Sequence, residues 1–231
     1  MTQRALLFSS ACVLWLGLAA PLLAQNGAPM NLVPQNAPAS QAISKQAKTI
    51  DKPAMDAATA IAKANAWFNA NLNMVADFVQ LSADRKRTDG QLYVQRPGRL
   101  RFEYARPATL EIIADGTSVA VRDRKLATQD VYFIGQTPLK FLLKEKIDIA
   151  KDTQILDVKA DERSVMIFIE DKATFGGTSR IRLVFDTLNF SLRQWTISDP
   201  QGYETLVSLS NINLTQKPDP SLFKINYERF D

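Results

Sequence analysis

The amino-acid sequence predicts a mainly β protein built on one antiparallel sheet that curls on itself, with two helices near its opening. From residue 74 the apolar residues recur with a period of two almost to the end of the chain. Turn pairs such as Asp89-Gly90, Asp115-Gly116 and Gly176-Gly177 interrupt this pattern. About ten strands that are apolar on one face cannot be covered by two helices. The sheet must therefore close as a barrel or fold over as a sandwich; if it curls only partway, the helices can plug the gap.

The strand segments follow one another at short, regular intervals, which is typical of an antiparallel meander. They span residues 74–81, 91–96, 99–104, 110–114, 118–123, 128–133, 155–159, 164–170, 180–185, 191–198 and 203–209. Their inner face is either a packed core or the wall of a cavity, because periodicity does not distinguish the two.

The first helix is predicted over residues 56–73, before the strands begin. An apolar stripe at helical spacing runs along it, with Asp56 placed to cap its start. The stripe contains Ile61, Ala64, Trp67, Phe68 and Leu72.

A second helix is predicted over residues 137–143, which read Thr-Pro-Leu-Lys-Phe-Leu-Leu. Thr137 is a capping residue and Pro138 suits the first turn. Apolar side chains nearly encircle this segment, so it should lie against an apolar surface.

Arg96 ends an apolar row, which makes it unusual among the charged residues. Leu92, Val94 and Arg96 share one face of a strand, and Pro97 then ends the hydrogen-bonding ladder. A guanidinium at the edge of an apolar face needs acceptors or water. Arg96 is therefore either a residue of the rim or a latch for something that covers that face.

The opposite face of the next strand is charged. Arg99, Arg101 and Glu103 alternate with the apolar row there and are predicted to lie on a solvated outer face.

The composition argues against an enzyme. The chain has no histidine, and its one cysteine, Cys12, precedes the predicted domain. Imidazole and thiolate chemistry are thereby excluded from that domain, and no metal-ligand or nucleophile motif stands out. We expect no catalytic residue, no metal and no cofactor.

The N-terminus has the pattern of a secretory signal, with Arg4 before a short apolar run and a small residue, Ala24, at the end. We expect three segments: a signal peptide over residues 1–24, a flexible leader rich in Pro, Gln and Ala over 25–53, and one domain over 54–231. Without Arg4 the chain keeps 27 basic against 24 acidic residues. This mild charge and the predicted export argue against nucleic acid as a partner.

Several short motifs, taken in order, resemble the outer-membrane lipoprotein carrier family, LolA. The resemblance covers roughly residues 54–225, and each motif alone is weak. The motifs are Phe78-Val79-Gln80, the run from Gly90 to Phe102 containing Arg96-Pro97-Gly98, Pro107, Ile113-Ala114-Asp115-Gly116 and Thr137-Pro138-Leu139.

The resemblance implies a strongly curved, incompletely closed antiparallel β-barrel of about 10–11 strands, covered by short helices and enclosing a hydrophobic cavity. It also implies a monomeric periplasmic carrier that takes acylated lipoproteins from an inner-membrane ABC-type transporter to an outer-membrane receptor or membrane. Two alternatives stay open: a sensory or regulatory module of the same fold, and a carrier of free lipids or glycolipids.

The resemblance assigns site residues as well. Arg96 matches the family arginine that bonds the lid in its closed state, and Leu100 falls where the family usually has phenylalanine. The expected cavity residues are Phe78, Leu92, Val94, Leu100, Phe102, Tyr104 and Ile112. The expected lid residues are Trp67, Phe68, Leu139, Leu142 and Leu143.

Overall fold

The protein is one eleven-stranded antiparallel sheet with three α-helices, in a computed structural model that describes residues 55–227. The strands are ordered β6-β5-β4-β3-β2-β1-β11-β10-β9-β8-β7. Two meanders are therefore joined where the first strand pairs with the last. The predicted signal peptide and leader lie outside the described residues.

The predicted segments and the observed strands correspond one to one, although four strands extend three or four residues beyond the predicted bounds. The strands are β1 (Asn73–Leu81), β2 (Arg87–Gln95), β3 (Arg99–Tyr104), β4 (Leu110–Asp115), β5 (Ser118–Asp123), β6 (Thr128–Phe133), β7 (Gln154–Ala160), β8 (Ser164–Thr174), β9 (Gly177–Asp186), β10 (Leu192–Ser198) and β11 (Glu204–Asn213). The helices are α1 (Ala57–Ala70), α2 (Lys140–Leu143) and α3 (Ile149–Asp152).

The sheet is curved and open, as the sequence predicts, with β6 and β7 at its two edges. Directly paired residues share a face, so the pairs Leu92–Phe102, Leu100–Ala114 and Phe78–Leu209 place one continuous apolar surface on the inside. The backbone N–H of Phe175, after β8, donates to the carbonyl of Gln136, after β6, at 2.6 Å. The edge region of β6 thus approaches the β8–β9 turn without pairing as a strand.

Helix α1 begins where the capping residue predicts. The carboxylate of Asp56 accepts hydrogen bonds from the N–H of Thr59 at 2.9 Å and from its hydroxyl at 2.7 Å. The helix buries Ala60, Ala64 and Phe68 against the inner face of the sheet. No helix among residues 55–227 is long and apolar enough to cross a membrane.

The second predicted helix is shorter than expected. It begins at Lys140 rather than Thr137, because a 3-10 turn at Ile134–Gln136 comes first and the hydroxyl of Thr137 bonds back to the Ile134 carbonyl. Helix α3 was not predicted, since its four residues are too few to show a helical period.

The outer face of β3 is not simply solvated, which corrects the prediction for Arg101. The chain after β11 returns across this face, and its 3-10 turn at Pro220–Phe223 contacts β3 and β4. Arg101 donates to the Leu222 carbonyl at 3.2 Å and to Glu111 at 2.6 Å. Arg99 and Glu103 are exposed, as predicted.

Candidate functional site

The candidate site is the concave inner face of the sheet together with the helices that cover it. All but one of the predicted cavity residues are buried there; Ile112 is half-buried. Leu92 and Leu100 are fully buried, and the rows continue from β1 to β4 because each strand alternates in register with its neighbour. Side chains fill this interior, so it is a packed core in the present conformation.

Aromatic side chains connect the covering helices to the sheet wall. The Phe68 ring on α1 lies 6.4 Å from that of Phe141 on α2, and the Phe141 ring lies 6.0 Å from Trp195 on β10. The Trp195 ring lies 6.4 Å from Phe102, which in turn lies 5.0 Å from Phe78. These edge-on contacts place apolar side chains of the cover directly against the inner wall.

The predicted lid residues all lie on the covering helices or just before them. Phe68, Leu142 and Leu143 are buried, whereas Trp67 and Leu139 are half-buried and pack against the core. Trp67 contacts Phe185 of β9 with ring centres 6.0 Å apart. We call residues 57–70 and 140–152, which form α1, α2, α3 and the loop between α2 and α3, the helical cover.

Arg96 joins the sheet to the helical cover. Its guanidinium donates to the carbonyl of Lys144 at 3.1 Å and to the carbonyl of Asn71 at 3.2 Å. Asn71 and Lys144 are the C-terminal cap residues of α1 and α2, so the guanidinium supplies a donor to a carbonyl at the end of each helix. The residue is 6 % exposed, and burial lowers the pKa of its guanidinium. Arg96 is thus not an exposed residue of the rim.

The turn after Arg96 supports the same end of the cover. The N–H of Gly98 donates to the carbonyl of Leu143 at 2.8 Å. Gly98 has a φ of +77°, and a Cβ there would lie 2.6 Å from the Cα of Gly116. Glycine is therefore required for the close approach of the two turns.

Two asparagines hold the parts of the helical cover together. The Asn69 amide bonds both the carbonyl and the N–H of Ile147, at 2.8 and 2.9 Å. Asn65 accepts from the N–H of Ile149 at 3.0 Å. Since these bonds link α1 to the start of α3, the helices are tied to one another by polar contacts.

A polar pair adjoins the aromatic row at Tyr104, whose ring lies 5.1 Å from that of Phe78. The hydroxyl of Tyr104 donates to the amide oxygen of Gln80 at 2.8 Å. Burial raises the pKa of Tyr104 well above its ordinary value, so this hydroxyl stays neutral.

Sequence reasoning missed the ion pair between Lys140 on α2 and Asp171 on β8. The sequence does contain a signal for Asp171. It follows the apolar row Val165, Ile167 and Ile169 on one strand face, just as Arg96 follows an apolar row on another strand. The predicted strand stopped one residue too early to include it.

The site is an apolar surface covered by helices. Within residues 55–227 no group of three His, Cys, Asp or Glu side chains could hold a metal ion. The wall is hydrocarbon and aromatic, and its charges lie at the ends of strands. A surface of this composition suits apolar ligands.

The fold and the site define a class of small β-sheet proteins whose curved sheet presents an apolar inner face beneath helices. The family model for the outer membrane lipoprotein carrier protein LolA matches residues 71–226. This chain therefore belongs to the LolA family. The matched region begins at residue 71, after α1, whereas the resemblance was expected to begin near residue 54.

Two outer-membrane lipoprotein carrier proteins are similar in sequence to this chain. The outer-membrane lipoprotein carrier protein of Nitrosospira multiformis is 28 % identical over 178 residues, which are 73 % of this chain and 85 % of the relative. That of Methylococcus capsulatus is 27 % identical over 160 residues, 65 % of this chain and 76 % of the relative. The crystal structure of a LolA superfamily protein from Nitrosomonas europaea overlays with a TM-score of 0.42 at 12 % identity, covering 76 % of this chain and all of that one.

Proposed function

We propose that the protein is a periplasmic carrier that binds the acyl chains of lipoproteins on its inner face and moves them from the inner to the outer membrane. One observation carries this proposal: the inner face is apolar except for charges at the ends of its strands, and its cover is attached by side-chain bonds and a backbone bond from a turn rather than by a strand ladder. Family membership agrees with it. The proposal involves no catalytic step.

The energetic need for such a carrier is large. Each methylene removed from water gains about 0.8 kcal/mol, so acyl chains do not cross an aqueous space unaided. Because the interior is filled by side chains here, cargo must displace the helical cover outward. Apolar contacts with the cover are then replaced by contacts with acyl chains, so little apolar surface of the inner wall is exposed to water by the exchange.

Arg96 gives the carrier a means of release. Closing the cover returns the carbonyls of Asn71 and Lys144 to the guanidinium, and this stabilises the empty state. Stabilising the empty state weakens the hold on cargo by the same free energy. Arg96 therefore acts as a latch that favours delivery.

Export and partners complete the proposal. We propose that residues 1–24 direct the chain to the periplasm and that residues 25–53 separate the signal from the domain. The donor would be an inner-membrane ABC-type transporter and the acceptor an outer-membrane receptor or the membrane itself. The carrier would act as a monomer.

Native mass spectrometry of the protein purified from periplasm, with and without a co-expressed lipoprotein, tests the function. A stoichiometric complex with an acylated lipoprotein is the expected result. Free phospholipid or glycolipid alone would replace the proposal with a lipid carrier, and an empty protein bound to a membrane signalling partner would replace it with a regulator.

A further inference from the structure

Two charged residues end apolar rows on the inner wall, and both contact α2. Arg96 follows Leu92 and Val94 and lies at one end of the helix, as described above. Asp171 follows Val165, Ile167 and Ile169 on β8 and is 4 % exposed. Its register partner Ser179 is buried beside it, so the carboxylate lies on the inner side of the wall.

Asp171 bonds the first residue of α2. The ammonium nitrogen of Lys140 lies 2.9 Å from one carboxylate oxygen of Asp171 and 2.7 Å from the other. Lys140 has a side-chain exposure of 15 %, so the pair is largely shielded from solvent. The carboxylate also accepts from the N–H of Ala173 at 3.0 Å, which fixes it to the strand rather than to the cover.

Neighbouring contacts bring the chain before α2 to the same place. The N–H of Phe175 bonds the Gln136 carbonyl, and the Tyr132 and Phe175 rings lie 5.6 Å apart. Helix α2 thus has a charged contact to the wall at each end: Lys140 with Asp171 at its start, and Arg96 with the Lys144 carbonyl at its finish.

We propose that Lys140 and Asp171 form a second fastening of the helical cover, in addition to the Arg96 latch. This inference rests on the proposed function, in which the cover opens. Opening separates the pair, and the carboxylate left on the apolar wall must then be hydrated. The pair therefore lowers the open population, and any acyl ligand that needs the open state binds more weakly as a result.

Lys140→Met should have the largest effect. It removes the cation beside the Asp171 carboxylate, which is buried in the closed state and hydrated in the open state, so only the closed state is destabilised. Asp171→Asn should act in the same direction but less, since the Lys140 ammonium is near enough to solvent to turn outward. The double variant Lys140→Met/Asp171→Asn should have a smaller effect than Lys140→Met alone, because no lone buried charge remains.

Opening is measured without any lipid by the rate at which a thiol reagent labels Leu142→Cys in a Cys12→Ser background. Leu142 is buried on α2, and Cys12 is the only native cysteine. Affinity is measured with an uncharged probe, NBD-labelled monoacylglycerol. We expect Lys140→Met to raise both the labelling rate and the probe affinity at least about tenfold.

Arg180→Gln is the matched control. It removes an ion pair between Arg180 on β9 and Glu170 on β8, on the outer face of the sheet, with an N–O distance of 3.4 Å. This variant should change neither the labelling rate nor the probe affinity. Should Lys140→Met fail to fold, Asp171→Asn carries the test.

The outcomes separate the two proposals. Faster labelling in Lys140→Met, even if no variant binds the probe, supports the fastening while removing support from the carrier function. A lower melting temperature with unchanged labelling and unchanged affinity would mean that the pair is purely structural, and the fastening would be wrong.

Discussion

At the scale of single residues, the most informative finding is how Arg96 is satisfied. It is buried, its backbone N–H donates to the Leu72 carbonyl at 2.8 Å, and its side chain bonds two helix-end carbonyls. Among the described residues no carboxylate is bonded to it, and its side-chain partners are carbonyl dipoles. Each such bond to a charged donor is worth about 1.5–3 kcal/mol. In the proposed function this stabilisation is lost when the cover opens.

Replacing Arg96 should impair release rather than uptake of cargo. In Arg96→Leu both carbonyls lose their donor, so the closed state is destabilised and the dissociation rate of a bound acyl ligand should fall about tenfold or more. Stopped-flow transfer of a fluorescent acyl probe to acceptor vesicles measures this rate. Arg99→Leu, which changes an exposed neighbour bonded to the Gln95 side chain, is the control. Transfer at the normal rate by Arg96→Leu would show that the latch is not needed.

At the scale of elements, capping decides where α1 begins, and this effect depends on pH. The hydroxyl and then the N–H of Thr59 lower the pKa of Asp56. A carboxyl with a lowered folded pKa adds stability that is present above its unfolded pKa. That stability is lost as the pH falls through the folded value.

Asp56→Ala should therefore lower the melting temperature by a few degrees at neutral pH and by progressively less below pH of about 3.9, the ordinary Asp value. Circular-dichroism melts of both proteins across that range measure the difference. A gap between them that is as wide in acid as at neutral pH would contradict the cap.

The C-terminal segment is a separate element with a separate role. Phe223 is 3 % exposed on the outer face of the sheet, where its turn contacts β3 and β4. Phe223→Ala should lower the free energy of unfolding by about 3 kcal/mol. Acyl-probe affinity should stay unchanged, because the residue lies on the side of the sheet away from the site. Urea unfolding and probe titration together test this; a matching loss of affinity would show that the two faces are coupled.

The elements also show what the sequence could and could not predict. Strand alternation located β3, β5 and β6 to the residue. The strand pattern leaves Arg96 as either a rim residue or a latch, and the resemblance to the LolA family favours the latch. The start of α2 and all of α3 were missed, since four-residue helices show no local period. Helix α3 is instead positioned by tertiary bonds from Asn65 and Asn69. The contact of Asp171 is with Lys140, 31 positions away in the chain, and no local sequence pattern reveals such a pairing.

At the scale of the whole molecule, the proposed function makes the packed interior and the cavity two states of one surface. The inner wall is too apolar to face water, so in the empty protein the helical cover fills it. In the proposed function, acyl chains take the place of the cover. The same side chains would then contact the cover in one state and cargo in the other, and Trp195 lies between Phe141 of the cover and Phe102 of the wall.

Trp195 should consequently report cargo directly. It is 1 % exposed and faces α2, so an acyl chain that displaces the cover must come to lie against its ring. In a Trp67→Phe background, which removes the tryptophan of the cover, a monoacylglycerol brominated along its chain should quench most of the Trp195 emission. The unbrominated compound should not. The signal should vanish in Trp67→Phe/Trp195→Phe, whose remaining Trp15 precedes the domain. Saturating binding of the brominated lipid without quenching would place the acyl chain elsewhere on the protein, and the packed interior would then be an ordinary core.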